Sequence, residues 1–550
     1  SVTGNFVPWW LEHVKPRWIT AIVLLMMTFT LDSRQFFISL RKPGPVVLAG
    51  VINLGLLPLL GLGLAALQMT PDFQIGLMVG APTLGGILSA TCAAPLSDLY
   101  GRRTLLLVLA VLYVISAGVS AFAPTYEVLM AARFIGGMAF ASLGMAPIYI
   151  SEIAAARSRG RMVAINQFNI VLGLSAAYFI NYMILKLSAI DAPWANSLGF
   201  AEHTWRWMLG FEILPAVIWL LLLLRLPESP RWLIINGRED EGRAVLETLE
   251  LDSDLETELS EIRNSAHGEI ETLTARAREV LSPRLRLALV VGMLLAVIQQ
   301  ITGVNAIYFY APTVFEQSGI GTDAAFAQAV AVGITNVIFT IVSMMLIDRL
   351  GRKPLLMIGL AGIAISMAIC AWSFKNATYS LDDGALDGFN GSAIEQRLDI
   401  LEGQSFADDV AFKAALVDAL GEQQARKHES TLIQAAIKIN PTLVLFGILL
   451  FVASFAVSLG PVMWVMLPEI FPNKVRGVAM AMTGVVNSGV SFGVQFMFPW
   501  QLTNLGVSMT LSGYAVFAVI GLVLVIWLVP ETRGKTLEEL EQEFTRGKTA

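Results

Sequence analysis

"LSDLYGRR", Leu96–Arg103, sets an acid, a glycine and two arginines at the end of a long apolar run. Nearly the same octet, "LIDRLGRK", Leu346–Lys353, ends a second apolar run in the other half of the chain. Two further pairs keep the same order. "PIYISEIAAARSRG" (Pro147–Gly160) is echoed by "VMLPEIFPNKVRG" (Val465–Gly477), and "PESPR" (Pro227–Arg231) by "PETRG" (Pro530–Gly534). Three matched positions point to a duplicated unit. They also mark where each copy's second, fourth and sixth apolar run ends.

Those runs fix the broad class. The chain has 550 residues, of which 55% are hydrophobic and 15% charged, with mean hydropathy +0.66. A bilayer crossing needs roughly 18–20 apolar residues, and helices are expected because lipid offers backbone polar groups no other partner. Twelve spans are expected, at about 46–68, 75–97, 104–123, 127–150, 163–187, 207–226, 285–316, 325–347, 354–373, 442–466, 476–499 and 511–529. A thirteenth candidate lies at about 19–40. The expected division is an amino-terminal segment 1–45, a six-helix bundle 46–226, a charged segment 227–284, a second six-helix bundle 285–529 and a tail 530–550.

Basic residues orient the spans. Arg102, Arg103, Arg157, Arg159, Arg161, Arg349, Arg352, Lys353, Lys474, Arg476, Arg533 and Lys535 all follow even-numbered spans, and Arg231, Arg238 and Arg243 lie in the charged segment. Even-numbered connections are therefore cytoplasmic. A net charge of −6 argues against a nucleic-acid partner. Cys92 and Cys370, both in apolar runs, exclude a disulfide framework or a multi-cysteine metal site. The start, "SVTGNFVPWWLEHVKPRW", lacks the basic-then-apolar order of a cleavable signal peptide. No phosphate-binding "GxxxxGK[ST]" occurs, so no nucleotide hydrolysis, no enzyme activity and no cofactor are expected.

The stretch "AVIQQITGVNAIYFYAP", Ala296–Pro312, breaks the apolar pattern with polar side chains. Unsatisfied amides in lipid cost several kcal/mol, so they should face the bundle interior. An amide carries both donor and acceptor, which suits sugar hydroxyls without charge. Gln300 and Asn305 lie about 140° apart on a straight helix. A break at Gly303, with Pro312 beyond, would bring both to one cavity. The competing reading is plain interhelical hydrogen bonding.

With the paired Asp-x-x-Gly-Arg-Arg/Lys motifs, "PESPR", "QQITGVNAIYFY" and "PETRG", the chain from about Leu84 onward resembles the sugar porter branch of the major facilitator superfamily. The resemblance implies two six-helix bundles with a sugar site between them near mid-membrane. It implies that Gln299, Gln300 and Asn305 bind the sugar. Tyr308 or Phe309, with Tyr310, would form the outer gate. Gln167, Asn336, Trp464 and Asn487 match further site positions, and an indole such as Trp464 can stack on a sugar's C–H face. Ser488 stands where the family often has a tryptophan. Asp98, Arg102, Glu152, Arg159, Glu228, Arg231, Asp348, Arg352, Glu469, Arg476 and Glu531 would form a cytoplasmic latch of the outward-facing state. The alternative for them is helix-end solvation together with topology signals.

The amino end departs from the pattern. The family's Gly-Tyr-Asp or Gly-Tyr-Asn element is missing before Leu84, and Asn53 is the only strongly polar mid-membrane residue of span one. In proton-coupled members the aspartate faces an arginine of span four; here that arginine is Arg133. Without a carboxylate it should be costly unless it snorkels or finds carbonyls. Asp32, the one acid of the early apolar runs, is read as pairing with nearby Arg34. Residues 18–82 resemble instead a fragment of the bile acid:sodium symporter family.

The segment 227–284 reads as short amphipathic helices among charges, resembling the family's intracellular helical domain. The extracytoplasmic stretch 374–441 is long and acidic, with "AIEQRLDIL" and "VAFKAALVDAL" reading as two helices. "DDGALDGFNG" lacks EF-hand spacing, so no metal is expected there. Asn376 and Asn390 sit in glycosylation triplets. The expected activity is alternating-access transport of a monosaccharide across the inner cell membrane, by a monomer driven by a proton gradient. A facilitative hexose or polyol carrier and a non-transporting sugar sensor are the alternatives.

Overall fold

The computed structural model describes residues 71–550 apart from 155–158, 250–255, 257–258, 261, 263–277, 382–393, 473, 534, 536–538 and 540–550, and apart from the side chains of 94, 159–161, 163, 164, 167 and 395. Eleven helices among the described residues are long and apolar enough to cross a membrane, and they coincide with expected spans two to twelve. The first expected span, the candidate at 19–40 and Asp32, Arg34 and Asn53 lie outside the described residues.

In the amino half, α1 (Pro71–Tyr100) and α2 (Arg102–Ala121) are joined at Gly101. Span four is two helices, α3 (Tyr126–Met138) and α4 (Ala141–Ile153). Span five is α5 (Arg159–Ser188). After the short α6 (Pro193–Ser197), span six is α7 (Thr204–Gly210) followed by α8 (Ile213–Leu223). The cytoplasmic segment adds α9 (Pro230–Ile235) and α10 (Glu239–Thr248). In the carboxy half, span seven is α11 (Arg286–Ile301) and α12 (Val304–Glu316). Next come α13 (Thr322–Leu350) and α14 (Arg352–Lys375). Beyond the outer insertion, span ten is α18 (Pro441–Val457) and α19 (Leu459–Ile470), broken at Ser458. The last two spans are α20 (Arg476–Asn504) and α21 (Gly506–Leu528). Spans four and ten, equivalent under the duplication, are thus both interrupted mid-membrane.

The halves meet along two helix pairs, α1 against α20 and α5 against α13. The second span of one copy packs on the fifth of the other in both cases, so exchanging the copies exchanges the pairs. At the first pair the backbones nearly touch: a Cβ on Gly76 would lie 2.2 Å from the Phe496 carbonyl oxygen. At the second, the Ser175 hydroxyl donates to the Gly333 carbonyl at 2.8 Å. Small residues permit such approach where lipid gives no hydrophobic drive for association.

The outer insertion has structure the sequence did not announce. Besides α15 (Glu395–Leu398) and α16 (Asp409–Leu420), there is a third helix, α17 (Glu422–Ala436). An antiparallel sheet of order β2-β1-β3 joins β1 (Thr378–Ser380), β2 (Ser405–Phe406) and β3 (Ile437–Lys438). Tyr379 stacks on Phe412 at 5.7 Å within the insertion's own apolar core. "DDGALDGFNG" and Asn390 fall outside the described residues.

The close contact at Gly76 gives a test. Gly76→Leu must push α1 off α20 and should destabilise the protein by about 1–3 kcal/mol. Gly118→Ala, where a Cβ would meet nothing within 4 Å, should be neutral or stabilising by up to about 1 kcal/mol. Thermal unfolding of the two purified variants checks the contrast.

Candidate functional site

Gly303 decides the geometry of span seven. Its φ of 89° lies in the left-handed region, where a Cβ is disfavoured, and it separates α11 from α12. Gln300 and Asn305, which a straight helix would turn apart, are brought together: Asn305 Nδ2 donates to Gln300 Oε1 at 2.8 Å. Gln299 and Gln300 are buried, and Asn305 is half-buried.

From this pair a chain of neutral polar groups runs across the molecule. Gln300 Nε2 donates to Asn487 Oδ1 at 3.1 Å, and Asn487 Nδ2 donates to Gln299 Oε1 at 2.7 Å and to the Ala296 carbonyl at 3.0 Å. Gln299 Nε2 donates to the Leu459 carbonyl at 3.0 Å, at the break in span ten. Asn305 Nδ2 also reaches Ser491 Oγ at 2.5 Å, and Gln495 Nε2 donates to the same oxygen at 2.8 Å. Gln495 then meets Thr83 of the amino half: the Thr83 hydroxyl donates to Oε1 at 3.2 Å and accepts from Nε2 at 3.1 Å. The network therefore starts in α11 and α12, crosses α20 and ends on α1. Satisfying amides this way avoids a cost of about 1–3 kcal/mol for each group left unpaired. Every one of these donors and acceptors could exchange a protein partner for a hydroxyl.

The expected site residues divide. Gln299, Gln300, Asn305 and Asn487 converge. Asn336 stands apart from them on α13, where its Oδ1 accepts from the Tyr308 hydroxyl at 3.1 Å. Trp464, on α19 beyond the carbonyls that hold Gln299, is 41% exposed. The side chain of Gln167 lies outside the described residues. Of the gate alternatives Tyr308 and Phe309, Tyr308 is buried while Phe309 is 48% exposed. Tyr310, also buried, has non-helical backbone angles and donates to the Gln495 carbonyl at 3.2 Å. Tyr178 of α5 donates to the Tyr308 carbonyl, tying the gate segment to the amino half.

Sequence reasoning passed over Thr83, Ser491, Gln495 and Tyr178, and also Glu212. Arg133 is not alone: its Nε donates to the Met78 carbonyl at 3.2 Å, and the Glu212 carboxylate at the α7–α8 junction lies within its electrostatic reach. Arg133 thus finds a carbonyl, one of the two ways out that its sequence allowed, and the acid nearest in effect comes from span six, in "GFEIL".

The expected cytoplasmic latch is two copies of a staple, and each described ion pair of it closes within one half rather than across the halves. In the amino half Arg102 pairs with Asp98 at 3.0 Å and Glu152 at 3.1 Å. Glu228 accepts from the Arg103 and Thr104 amides at 2.9 and 3.4 Å, at the N-terminus of α2. In the carboxy half Arg352 pairs with Asp348 at 3.2 Å and Glu469 at 2.8 Å. Glu531 accepts from the Arg352 and Lys353 amides, each at 3.0 Å, at the N-terminus of α14. Arg476 Nε donates to the Phe471 carbonyl at 3.3 Å. Arg159 has no described side chain, and Arg231 has an interaction of its own. Trp232 of α9 donates to the Asp98 carbonyl at 2.8 Å, docking the cytoplasmic segment on the amino-half staple.

Known proteins share this sequence and arrangement. The family profile described as "Sugar (and other) transporter" matches residues 21–389 and 426–544. It thus takes in most of residues 18–82. The arabinose-proton symporter of Bacillus subtilis (strain 168) is 32% identical over 471 residues, covering 86% of each chain. The D-xylose-proton symporter of Escherichia coli (strain K12) is 31% identical over 497 residues, covering 85% of each. The inward-open structure of the xylose transporter XylE from E. coli superposes with a TM-score of 0.62 at 27% identity, covering 87% of this chain and 91% of that one. The chain is a multi-pass membrane protein of the sugar (and other) transporter family, in the sugar porter branch of the major facilitator superfamily.

Proposed function

We propose that the protein is a secondary transporter that moves a monosaccharide between its halves by alternating access, coupled to a proton. The observation that carries this reading is the amide chain from Gln299 to Thr83, a polar path that joins the two bundles through the predicted sugar site. In this reading Gln299, Gln300, Asn305 and Asn487 hold the sugar hydroxyls, with Gln167 and Asn336 as further ligands and Trp464 as the stacking surface. Tyr308 and Tyr310 close the site from outside, with Tyr178 anchoring them. Relatives named as arabinose-proton and D-xylose-proton symporters support both the sugar class and the driving ion.

Proton coupling needs a group that titrates inside the membrane, and neutral Asn53 does not. Glu212, at the α7–α8 junction of span six and within the field of Arg133, is the candidate. Burial favours the protonated form of a carboxyl group and a nearby guanidinium opposes it, so a change in its hydration or in its separation from Arg133 couples proton binding to the motion of the halves. A facilitative hexose or polyol carrier would dispense with that titration. Each cytoplasmic staple holds the loop after its half's second span to the ends of spans four and six, so that a half moves as one body. The domain division read from the sequence, the monomeric state and the inner-membrane location go with this reading. The bile acid:sodium symporter likeness of residues 18–82 is carried by sequence alone, whereas the family match from residue 21 supports one origin for the chain.

Vesicles loaded with the purified protein should take up at least one of labelled xylose, glucose, galactose or inositol, faster with an inward proton gradient; binding without flux would favour a sensor. Gln300→Ala and Asn305→Ala should each raise the half-saturating sugar concentration about tenfold or more, the equivalent of about 1.4 kcal/mol. Unchanged flux in both would remove those residues from the site. Glu212→Gln should abolish gradient-driven accumulation while sparing sugar exchange at equal concentrations. Equal loss of both would make Glu212 structural.

A further inference from the structure

The outer domain between α14 and α18 is built on the carboxy half. β1 follows α14 directly, and β3 leads into α18. Ile437 and Ile439 pack on both the insertion's core and the bundle's core. Asp409, buried on α16, accepts from the Val507 amide at 3.2 Å at the start of α21, and Lys413 stands 3.7 Å from its carboxylate. These contacts join the insertion to one half only.

One side chain of α17 crosses to the other half. Arg426 Nη1 lies 2.9 Å from Asp72 Oδ1, in the first turn of α1. Asp72 is only 6% exposed. Glu422, one turn back, holds the second guanidinium nitrogen of Arg426 at 3.4 Å. Burial works against the Arg426 charge, but the hydrogen bond and field of Asp72 more than offset it, with help from Glu422 and Glu429, and its pKa is raised. Next to Asp72, Phe73 stacks on Phe496 at 5.1 Å and on Trp500 at 6.3 Å, both on α20 of the carboxy half. The other inter-half pair is tied at its outer end too, where Lys186 of α5 pairs with Asp323 of α13. The family profile omits residues 390–425, which include α15, α16 and most of the sequence leading to Arg426.

We propose that the extracytoplasmic domain is a strap: rooted in the carboxy half, it grips the amino half through Arg426 and Asp72 and favours the carrier's outside-closed state. The inference rests on the two-half transport reading for its consequence. The ends of the ion pair ride on different halves, so opening the outer face must part them. The domain therefore sets how often the site is offered to the outside, without touching the sugar.

Distance and flux measurements separate this inference from the transport reading. Spin labels at Glu127→Cys and Thr322→Cys, with Cys92 and Cys370 replaced by alanine, report the outer separation of the halves whether or not sugar moves. Asp72→Asn and Arg426→Gln should each raise the wide-to-narrow ratio about fivefold, the scale of one partly exposed ion pair. The swap Asp72→Arg with Arg426→Asp should recover part of the narrow population. Joining Asp72→Cys to Arg426→Cys with a short bis-methanethiosulfonate, from which each cysteine thiolate displaces a methanesulfinate to leave a disulfide, should stop flux of the labelled sugar panel, and reductant should restore it. Unchanged distances in both single variants, or wild-type flux through the cross-linked protein, would overturn the strap. A wild-type protein that moves none of the four sugars would count against the transport reading alone, since the distances still report on the strap.

Discussion

An amide inside a membrane has no water to turn to, and that constraint organises the middle of this protein. Gln299, Gln300, Asn305, Asn487 and Gln495 lie in helices otherwise made for lipid or for core packing. Each is satisfied by another member of the group, by the hydroxyls of Ser491 and Thr83, or by a carbonyl beside a helix break. The breaks and the amides belong together. Ser458 interrupts span ten, and the carbonyls of Leu459 and Gly460 beside it receive Gln299. Gly303 interrupts span seven, and Asn305 turns back onto Gln300. Irregular backbone at membrane depth is tolerated where it faces protein or a cavity, and here it supplies the acceptors that hold the polar groups in register.

The same network spans the two halves. Its last link, Gln495 to Thr83, is a bond between halves, and the Gln495 carbonyl also receives Tyr310, the proposed gate residue. A hydroxyl that displaced Asn305 from Ser491 would loosen the hold of Ser491 on Gln495. Gate, amide site and inter-half contact thus share one residue on α20. A ligand shifts a conformational equilibrium only through differential contacts with the two states, and shared partners of this kind are where such a difference arises.

Much of this could be read from residues alone, for identifiable reasons. The duplicated motifs gave the two-bundle plan because charged clusters at helix ends are sharp features in an apolar sequence. The adjacent glutamines stood out because lipid makes them costly. Glu212 escaped because it sits between aromatic and aliphatic neighbours at one end of a span, and Arg133, whose field reaches it, is distant in sequence. Gln495 escaped because a single amide among phenylalanines has no local pattern; only packing against Thr83 reveals its role. Strands of two or three residues carry no alternation to detect, so the outer sheet was invisible. The staples were legible as acid–base motifs, but which half each ion pair closes depends on three-dimensional neighbours.

That last distinction bears on how the machine divides its labour. On the cytoplasmic side the described pairs of Arg102 and Arg352 join parts of one bundle. On the outer side Lys186–Asp323 and Arg426–Asp72 join different bundles. Ties within a body leave its position free, whereas ties between bodies favour one position over another. The inner charges therefore make each half stiff enough to move as a unit, and the outer charges bias where it rests. A carrier with both can change its resting state by altering a few charged groups at its outer rim, leaving the mid-membrane amides untouched.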